Sequence, residues 1–262
     1  MTVIGNVESV WRYPVKSMRG EMLDEAFVGF AGLYGDRVYA FTTPQAPKGF
    51  PFHTSREQEE LLLYSPKFAD GSAAMMPANL AEAAAMPPGM TPVYPPIGAL
   101  GVLVTTPDGE VLPLDSPSLL DDMRRRIGED LPVSLMHSER ALTDCRPVSI
   151  FSLQTVAGLA EEIEEPVDKR QFRANVYANF DGKDPFFERS LIGARVKIGE
   201  KAEFLLIEND PRCKMITLNP DTAKASPKIL RQVTTKHDGF AGLYSVVLVE
   251  GVVRPGDEIS VV

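Results

Sequence analysis

Cysteine, histidine and tryptophan are scarce here, with two, three and one residue respectively in a chain of 262. Two cysteines do not build a disulfide scaffold and cannot supply the thiolate set of an iron–sulfur cluster. The three histidines, His53, His137 and His237, stand far apart without the spacing of metal ligands. No apolar run approaches the roughly 18 residues needed to span a bilayer. The opening Met1–Tyr13 lacks the basic-then-apolar pattern of a signal peptide. A cytoplasmic protein with reduced thiols and no membrane partner is therefore expected. Also missing are a Gly-x-Ser-x-Gly elbow, a Walker loop and a dinucleotide fingerprint. Any redox chemistry must then draw its electrons from another protein.

The composition that remains is that of a folded chain, 44% hydrophobic and 24% charged, which excludes global disorder. Acidic residues outnumber basic ones by 36 to 27, for a formal net charge of -9. Such a field repels phosphate polyanions, so neither nucleic acid nor an anionic membrane is an expected partner. An anion bound by this chain must sit in a local basic pocket. The length suits one large core or two modest ones.

Short β-branched and aromatic stretches between turn residues predict strands at Val3–Val10, Val38–Thr42, Leu135–His137 and Val148–Phe151. Val102–Thr105 and Val111–Leu114 form a hairpin about Pro107-Asp108-Gly109-Glu110. Further strands are expected at Ala174–Ala178, Arg195–Ile198, Ala202–Ile207, Lys214–Thr217, Tyr244–Val249 and Ile259–Val262. Ser116-Pro117 reads as an N-cap with proline at the first helical position, opening a helix through Leu119–Ile127 that stops at Gly128. A second helix, capped by Ser152 or Thr155, spans Val156–Glu164, and a short one lies near Pro227–Val233. Thr54–Tyr64 is open between a helix and a polar turn entering a strand. Asp70–Gly98, rich in Ala, Met and Pro, reads as an irregular excursion, either a plain surface loop or a lid. The fold class is mainly β with a few helices, built from one or two closed or partly closed barrels.

Cys213, in Asn209-Asp210-Pro211-Arg212-Cys213-Lys214, has the better setting of the two thiols. Flanking Arg212 and Lys214 favour a thiolate, the form that ligates soft metals. Taken alone, the pattern fits an inert buried cysteine better, and Cys145 carries no assigned role. Lys16-Ser17, Arg37 and Arg173 lie in apolar or turn-like surroundings. Were they to converge, they would form a phosphate pocket in which arginine offers a bidentate fork; singly, each reads as a surface residue.

These stretches resemble the MOSC (molybdenum cofactor sulfurase C-terminal) family, particularly the branch of the mitochondrial amidoxime-reducing component and its bacterial relatives. Trp11-Arg12-Tyr13-Pro14-Val15-Lys16-Ser17 and Gly32-Leu33-Tyr34-Gly35-Asp36-Arg37 look like its N-terminal β-barrel signature, and Thr54-Ser55-Arg56 like the segment after it. Asp144 and Pro147 before Phe151-Ser152 resemble the entry to the MOSC domain. Phe172-Arg173-Ala174-Asn175 matches its Phe-Arg-x-Asn element. Arg212-Cys213 with Asn219-Pro220-Asp221-Thr222 matches its cysteine motif, and Val253-Arg254-Pro255-Gly256-Asp257-Glu258 its closing turn. Pro211 and Ala223 depart from the frequent hydroxyl residue and glycine.

The resemblance implies an N-terminal β-barrel-like domain over residues 1–115 packed with a MOSC β-barrel domain over 116–262. It implies a molybdenum cofactor (molybdopterin) ligated by Cys213, which would be both metal ligand and catalytic residue. Lys16, Ser17, Arg37, Arg173 and Asn175 would hold the pterin and its phosphate, with Arg212 lining the same pocket. Thr155, at a helix N-terminus suited to an anion, would contribute a hydroxyl. The family-level attribution of pyridoxal phosphate binding comes with it. The implied activity is reduction of N-hydroxylated small molecules such as amidoximes, hydroxylamines or N-hydroxylated bases. Electrons would come from a separate donor, a ferredoxin or flavin reductase or a cytochrome. No acid or base is identifiable, although Asn209 and Asp210 are near in sequence. A carrier that holds the cofactor, or passes sulfur as a persulfide on Cys213, uses the same thiol, and a cofactor-free binding module is a third reading.

Overall fold

The computed structural model describes residues 1–87, 90, 92–127, 132–180 and 182–262. The first half of the chain forms β1 (Thr2–Arg12), β2 (Glu21–Leu23), β3 (Ala26–Gly29), β4 (Gly32–Leu33), β5 (Tyr39–Thr42), β6 (Ser65–Phe68), β7 (Val102–Thr105), β8 (Val111–Pro113) and β9 (Ser134–His137). The second half forms β10 (Val148–Ser152), β11 (Val176–Asn179), β12 (Arg195–Ile198), β13 (Ala202–Pro211), β14 (Phe240–Val249), β15 (Gly251–Val253) and β16 (Glu258–Val261). Among the described residues the α-helices are α1 (Leu80–Ala84), α2 (Pro117–Ile127), α3 (Leu153–Ile163) and α4 (Lys228–Lys236).

One sheet runs in the order β11-β10-β14-β13-β12-β16-β1-β2, and β1 pairs again with β11. That second pairing closes seven strands into a barrel, and β2 hangs on β1 outside the ring. Closure leaves no unpaired edge on these strands. Its pairs are antiparallel except β10 with β11, and a parallel pair needs a crossover, which α3 supplies. Along β13 the residues alternate, with Ala202, Phe204 and Leu206 buried and Glu203, Leu205 and Ile207 less so, the period that fills a barrel interior from one face. Val10, Ile150, Val176, Leu243 and Ile259 complete that core.

A second core, with Phe41, Tyr64, Phe68, Val104 and Leu119, lies beneath the β5-β9 and β6-β7-β8 sheets and α2. A third packs Phe151, Leu159, Phe172, Ile216 and Val233 under α3 and α4. The sheets cross the division expected at residues 115/116. β1 completes the barrel between β11 and β16, and β15 pairs with β3 in a small sheet with β4.

Several local expectations hold. Ser116 Oγ accepts from Leu119 N at 3.2 Å at the start of α2, while the stop expected at Gly128 lies outside the described residues. Ser152 Oγ accepts from Thr155 N at 3.3 Å, making Ser152 rather than Thr155 the cap of α3. Thr54–Tyr64 resolves into a turn followed by a 3-10 helix at Glu59–Leu63. The strand expected at Lys214–Thr217 is instead a 3-10 turn. There Gln171 Nε2 donates to the Ile216 carbonyl at 2.7 Å and Ile216 buries into the third core, so tertiary contacts override the apolar run.

The Asp70–Gly98 excursion is pinned by Arg12, which donates to the Ala74 carbonyl, and by Phe27 N donating to the Met75 carbonyl at 3.2 Å. Tyr94 also donates to Glu250 Oε2 at 2.5 Å. Among its described residues none lines the cleft described next.

Candidate functional site: a cysteine and arginine cleft

Strand ends and loops from both halves of the chain meet in one cleft with about 740 Å³ of empty space, part of it open to solvent. The turn after β1 brings Lys16 and Ser17, and the approach to β5 brings Arg37. The loops at Thr54–Arg56 and Thr143–Asp144 add Arg56 and Asp144. The opposite side carries Ser149 on β10, Phe172 to Asn175 before β11, Asp210 at the end of β13, Tyr244 on β14, and Arg212 and Cys213 just beyond β13. Lys16, Ser17, Arg37, Arg173, Asn175, Arg212 and Cys213 thus line one space although they span nearly 200 positions of sequence.

Backbone conformation helps to aim them. Ser17, Arg37 and Arg173 have φ of 69°, 49° and 54°, a left-handed region costing a non-glycine residue about 1 kcal/mol or more. The surrounding hydrogen bonds hold that strain. Arg37 N donates to the Tyr13 carbonyl at 2.7 Å, and Arg173 closes the 3-10 turn Lys169–Phe172. Gly242 has φ +81°, and a Cβ there would stand 2.5 Å from Phe151 Cδ2 and 2.9 Å from Arg212 Nη2. A side chain at this position would push the arginine off its seat.

The cations differ in how they are answered. Buried Lys16 pairs with Asp144 and donates to the Leu142 carbonyl at 2.7 Å; burial still pushes its ammonium down. Arg56 pairs with the same carboxylate; against the burial that opposes its charge, Asp144 and the neighbouring Cys213 hold its guanidinium more firmly protonated than usual. Burial opposes the ionised Asp144, yet Lys16 and Arg56 hold its carboxyl below the usual range. Arg37 Nη1 lies 2.5 Å from Asp36 Oδ2, and its Nη2 donates to the Arg173 carbonyl at 2.8 Å.

Arg212 donates to the Ala241 and Phe172 carbonyls at 2.6 and 2.9 Å. Its Nη2 is 2.8 Å from Asp210 Oδ2, an ion-pair contact without hydrogen-bond alignment. Among the described residues no carboxylate pairs with Arg173: its guanidinium lies 4.3 Å from the centre of the Tyr13 ring, and its buried Nη2 finds no partner. Burial, with Arg37 nearby, pushes it down to about 10.

Asp210 is buried, accepts from Ser149 Oγ at 2.8 Å, and is pushed up by that burial. Asn209, its neighbour in sequence, is not in the lining. Asn175 lines the cleft, yet its amide already serves the backbone, accepting from Ser149 N at 3.2 Å and donating to the Trp11 carbonyl at 3.3 Å.

Two expectations need correction. Thr155 is outside the cleft. Its hydroxyl donates to the carboxylate of Glu188, 2.7 and 2.9 Å away, and accepts from Phe186 N at 2.7 Å. Glu188 is fully buried and needs that donor. Lys214 is not in the lining either, because its ammonium lies 2.9 Å from Glu59 Oε1 and donates to the Arg56 carbonyl at 2.8 Å. The cation beside the thiol is Arg56, remote in sequence. Its motif Thr54-Ser55-Arg56 was visible, but nothing local tied it to Cys213. Ser149 and Tyr244 had no sequence signal. The histidines are dispersed: His53 meets Gln58 at 3.0 Å, His137 meets Glu139 at 3.0 Å, and His237 meets Glu162 at 2.7 Å.

A seven-strand barrel joined to smaller sheets, with a half-buried cysteine at the mouth of an arginine-rich cleft, defines the class structurally. Residues 137–260 match the MOSC domain, and residues 4–88 match the MOSC N-terminal beta barrel domain. The chain belongs to the MOSC family, whose domains are associated with the molybdenum cofactor. No curated protein matches it by sequence. Among solved structures it is similar to the YuaD protein from Bacillus subtilis, at 15% identity over 97% of this chain and 93% of that one, with a TM-score of 0.47. It is also similar to YiiM from Geobacillus stearothermophilus, at 19% identity over 45% of this chain and 54% of that one, with a TM-score of 0.36. YiiM from Escherichia coli has 15% identity, the same coverages and a TM-score of 0.32. Among the described residues no helix is long and apolar enough to cross a membrane.

Proposed function

We propose that this cleft binds a molybdenum cofactor through Cys213 and that the protein reduces N-hydroxylated small molecules. The carrying observation is the convergence of one half-buried thiol with Lys16, Arg37, Arg56, Arg173 and Arg212 in a chain of net charge -9. The donor set suits the cofactor, since a thiol offers a soft ligand and guanidinium groups suit a phosphate. Arg173 Nη2 and Arg56 Nε, both buried without a partner among the described residues, are N–H groups that an anionic ligand would satisfy.

Cys213 would anchor the metal. Lys16, Ser17 and Arg37 would seat the pterin phosphate from one side and Arg173 from the other, while Arg212 and Asn175 hold the wall in shape. Bound cofactor would supply the two-electron chemistry that removes a nitrogen-bound oxygen as water, with electrons from a separate donor of ferredoxin, flavin-reductase or cytochrome type. Asp210, raised by burial and supported by the Ser149 hydroxyl, is the group on the wall suited to holding a proton.

The test is molybdenum and pterin content of the protein made in a cofactor-competent host, compared with Cys213→Ser. Metal should fall to background in the variant while thermal unfolding is unchanged, and amidoxime reduction with a supplied donor should vanish. Equal molybdenum in both would end the reading. A labile sulfur on Cys213 with no turnover of any N-hydroxy substrate would make the protein a sulfur carrier instead.

A further inference from the structure

A second cavity adjoins the thiol cleft and shares Gln171, Arg173 and Met215 with it. It has about 1290 Å³ of empty space, part of it open solvent. Trp11, Tyr13, Leu62, Met215 and Leu218 give it apolar and aromatic walls.

Its polar groups are unevenly matched. Gln171 is spent, accepting from Asp168 N at 3.0 Å and donating to the Ile216 carbonyl at 2.7 Å. Arg170 is held by Asp168 and Asp221, both 2.6 Å from Nη2. Glu21, the carboxylate in this wall, is taken by Arg12 at 2.8 Å. Arg19 donates to the Pro220 carbonyl at 2.9 Å through Nη2, which also lies 3.5 Å from Asp221 Oδ1, but its buried Nε finds no partner among the described residues. The unused capacity of this guanidinium is therefore all donor. A ligand that satisfies it must bring acceptors, preferably charged ones, on a body that covers apolar walls.

We infer that this chamber binds the organic body of an anionic substrate: an apolar or aromatic skeleton carrying a carboxylate, seated on Arg19. Its opposite end reaches past Met215 toward Cys213. Only the identity of that reacting end rests on the reading of the thiol cleft given above.

Trp11 is the chain's single tryptophan and lines this chamber, so its fluorescence reports occupancy without any turnover. The probes are 4-nitrobenzoate and its neutral counterpart 4-nitrobenzamide, contact quenchers of indole that differ in charge. They are titrated into the full chain with and without cofactor. The carboxylate should quench saturably and at least about tenfold more tightly than the amide, and Arg19→Gln should erase that preference while leaving amide quenching in place. In cofactor-loaded protein the same variant should raise KM for a carboxyl-bearing benzamidoxime at least about tenfold more than it raises KM for plain benzamidoxime. Equal affinity for both probes, or a preference that survives Arg19→Gln, overturns the inference. Loss of probe binding on cofactor loading also overturns it, giving the chamber to the cofactor. If Cys213→Ser keeps its molybdenum while the probe results hold, the reading of the cleft fails and the anion chamber stands.

Discussion

Arg37 and Arg173 flank the same tyrosine, 4.5 and 4.3 Å from the centre of the Tyr13 ring, yet they come from opposite walls of the cleft and live in opposite electrostatic conditions. Burial works against the charge on both. At Arg37 the carboxylate of Asp36 outweighs it and the guanidinium is held more firmly protonated than usual. At Arg173 no carboxylate among the described residues forms an ion pair, and burial together with Arg37 lowers it despite the charge of Asp36. The N-terminal wall thus carries cations neutralised by Asp36 and Asp144, whereas the wall before β11 keeps an unanswered one. A neutralised cation contributes to holding the fold, because removing either partner strands a charge. An unanswered one costs the fold something and is best repaid by a ligand. The difference separates cations that hold the fold as well as a ligand from one that serves chiefly as a seat, within a single cleft.

The largest effect should come from breaking the neutralised side. Asp36 is completely buried, and it accepts from Tyr13 N at 2.8 Å as well as pairing with Arg37. Asp36→Ala should destabilise the protein by about 3–5 kcal/mol, the usual result of leaving a buried charge unpaired, seen as a lower denaturant midpoint. An unchanged midpoint would show that Arg37 finds its balance elsewhere. The unanswered side should respond in the reverse sense. Arg173→Met removes a buried N–H that has no partner and a stacked cation whose gain is modest, so stability should move by only about 1 kcal/mol. Cofactor retention should fall by roughly 10- to 100-fold, the worth of a charged hydrogen bond. A variant that loses stability and retains cofactor would reverse the assignment of the two walls.

The asymmetry also explains what could be read in advance. Barrel strands such as β12, predicted and found at Arg195–Ile198, announce themselves through alternation and turn residues, which are local. Lys16, Arg37, Arg173 and Cys213 were legible as a set because short motifs in fixed order resemble a family; no composition or spacing argument placed them in one cleft. Thr155 failed because whether a helix-start hydroxyl meets a ligand or a buried carboxylate depends on Glu188, which arrives from a separate segment. Lys214 failed because adjacency in sequence does not fix direction: after Cys213 the chain turns into a 3-10 helix and sends that ammonium to Glu59. Strands β2, β4 and β15 are two or three residues long, too short for a period to register.

A finer probe of the neutralised wall is pH. The folded Asp144 carboxyl lies below its unfolded value, ordinarily about 3.9. Its contribution to stability is therefore complete above that unfolded value and drains away as pH falls through the lower folded one. Asp144→Asn should lower the melting temperature at pH 7, and the gap to the parent should close as pH falls toward 3. A gap that stays constant with pH would mean that Lys16 and Arg56 do not depend on the charge of Asp144.

The smallest effect separates the cation that neighbours the thiol in sequence from the one that neighbours it in space. Lys214 is exposed and pairs with the equally exposed Glu59. Such surface pairs contribute about 0–1 kcal/mol, so Lys214→Ala should shift stability within that range and leave molybdenum content nearly unchanged. Arg56 is paired with Asp144 and lines the cleft together with Cys213, so Arg56→Ala should lower molybdenum content distinctly more than Lys214→Ala. If Lys214→Ala proves the more damaging, the thiol takes its electrostatic setting from the chain beside it, and the cleft geometry is not what tunes position 213.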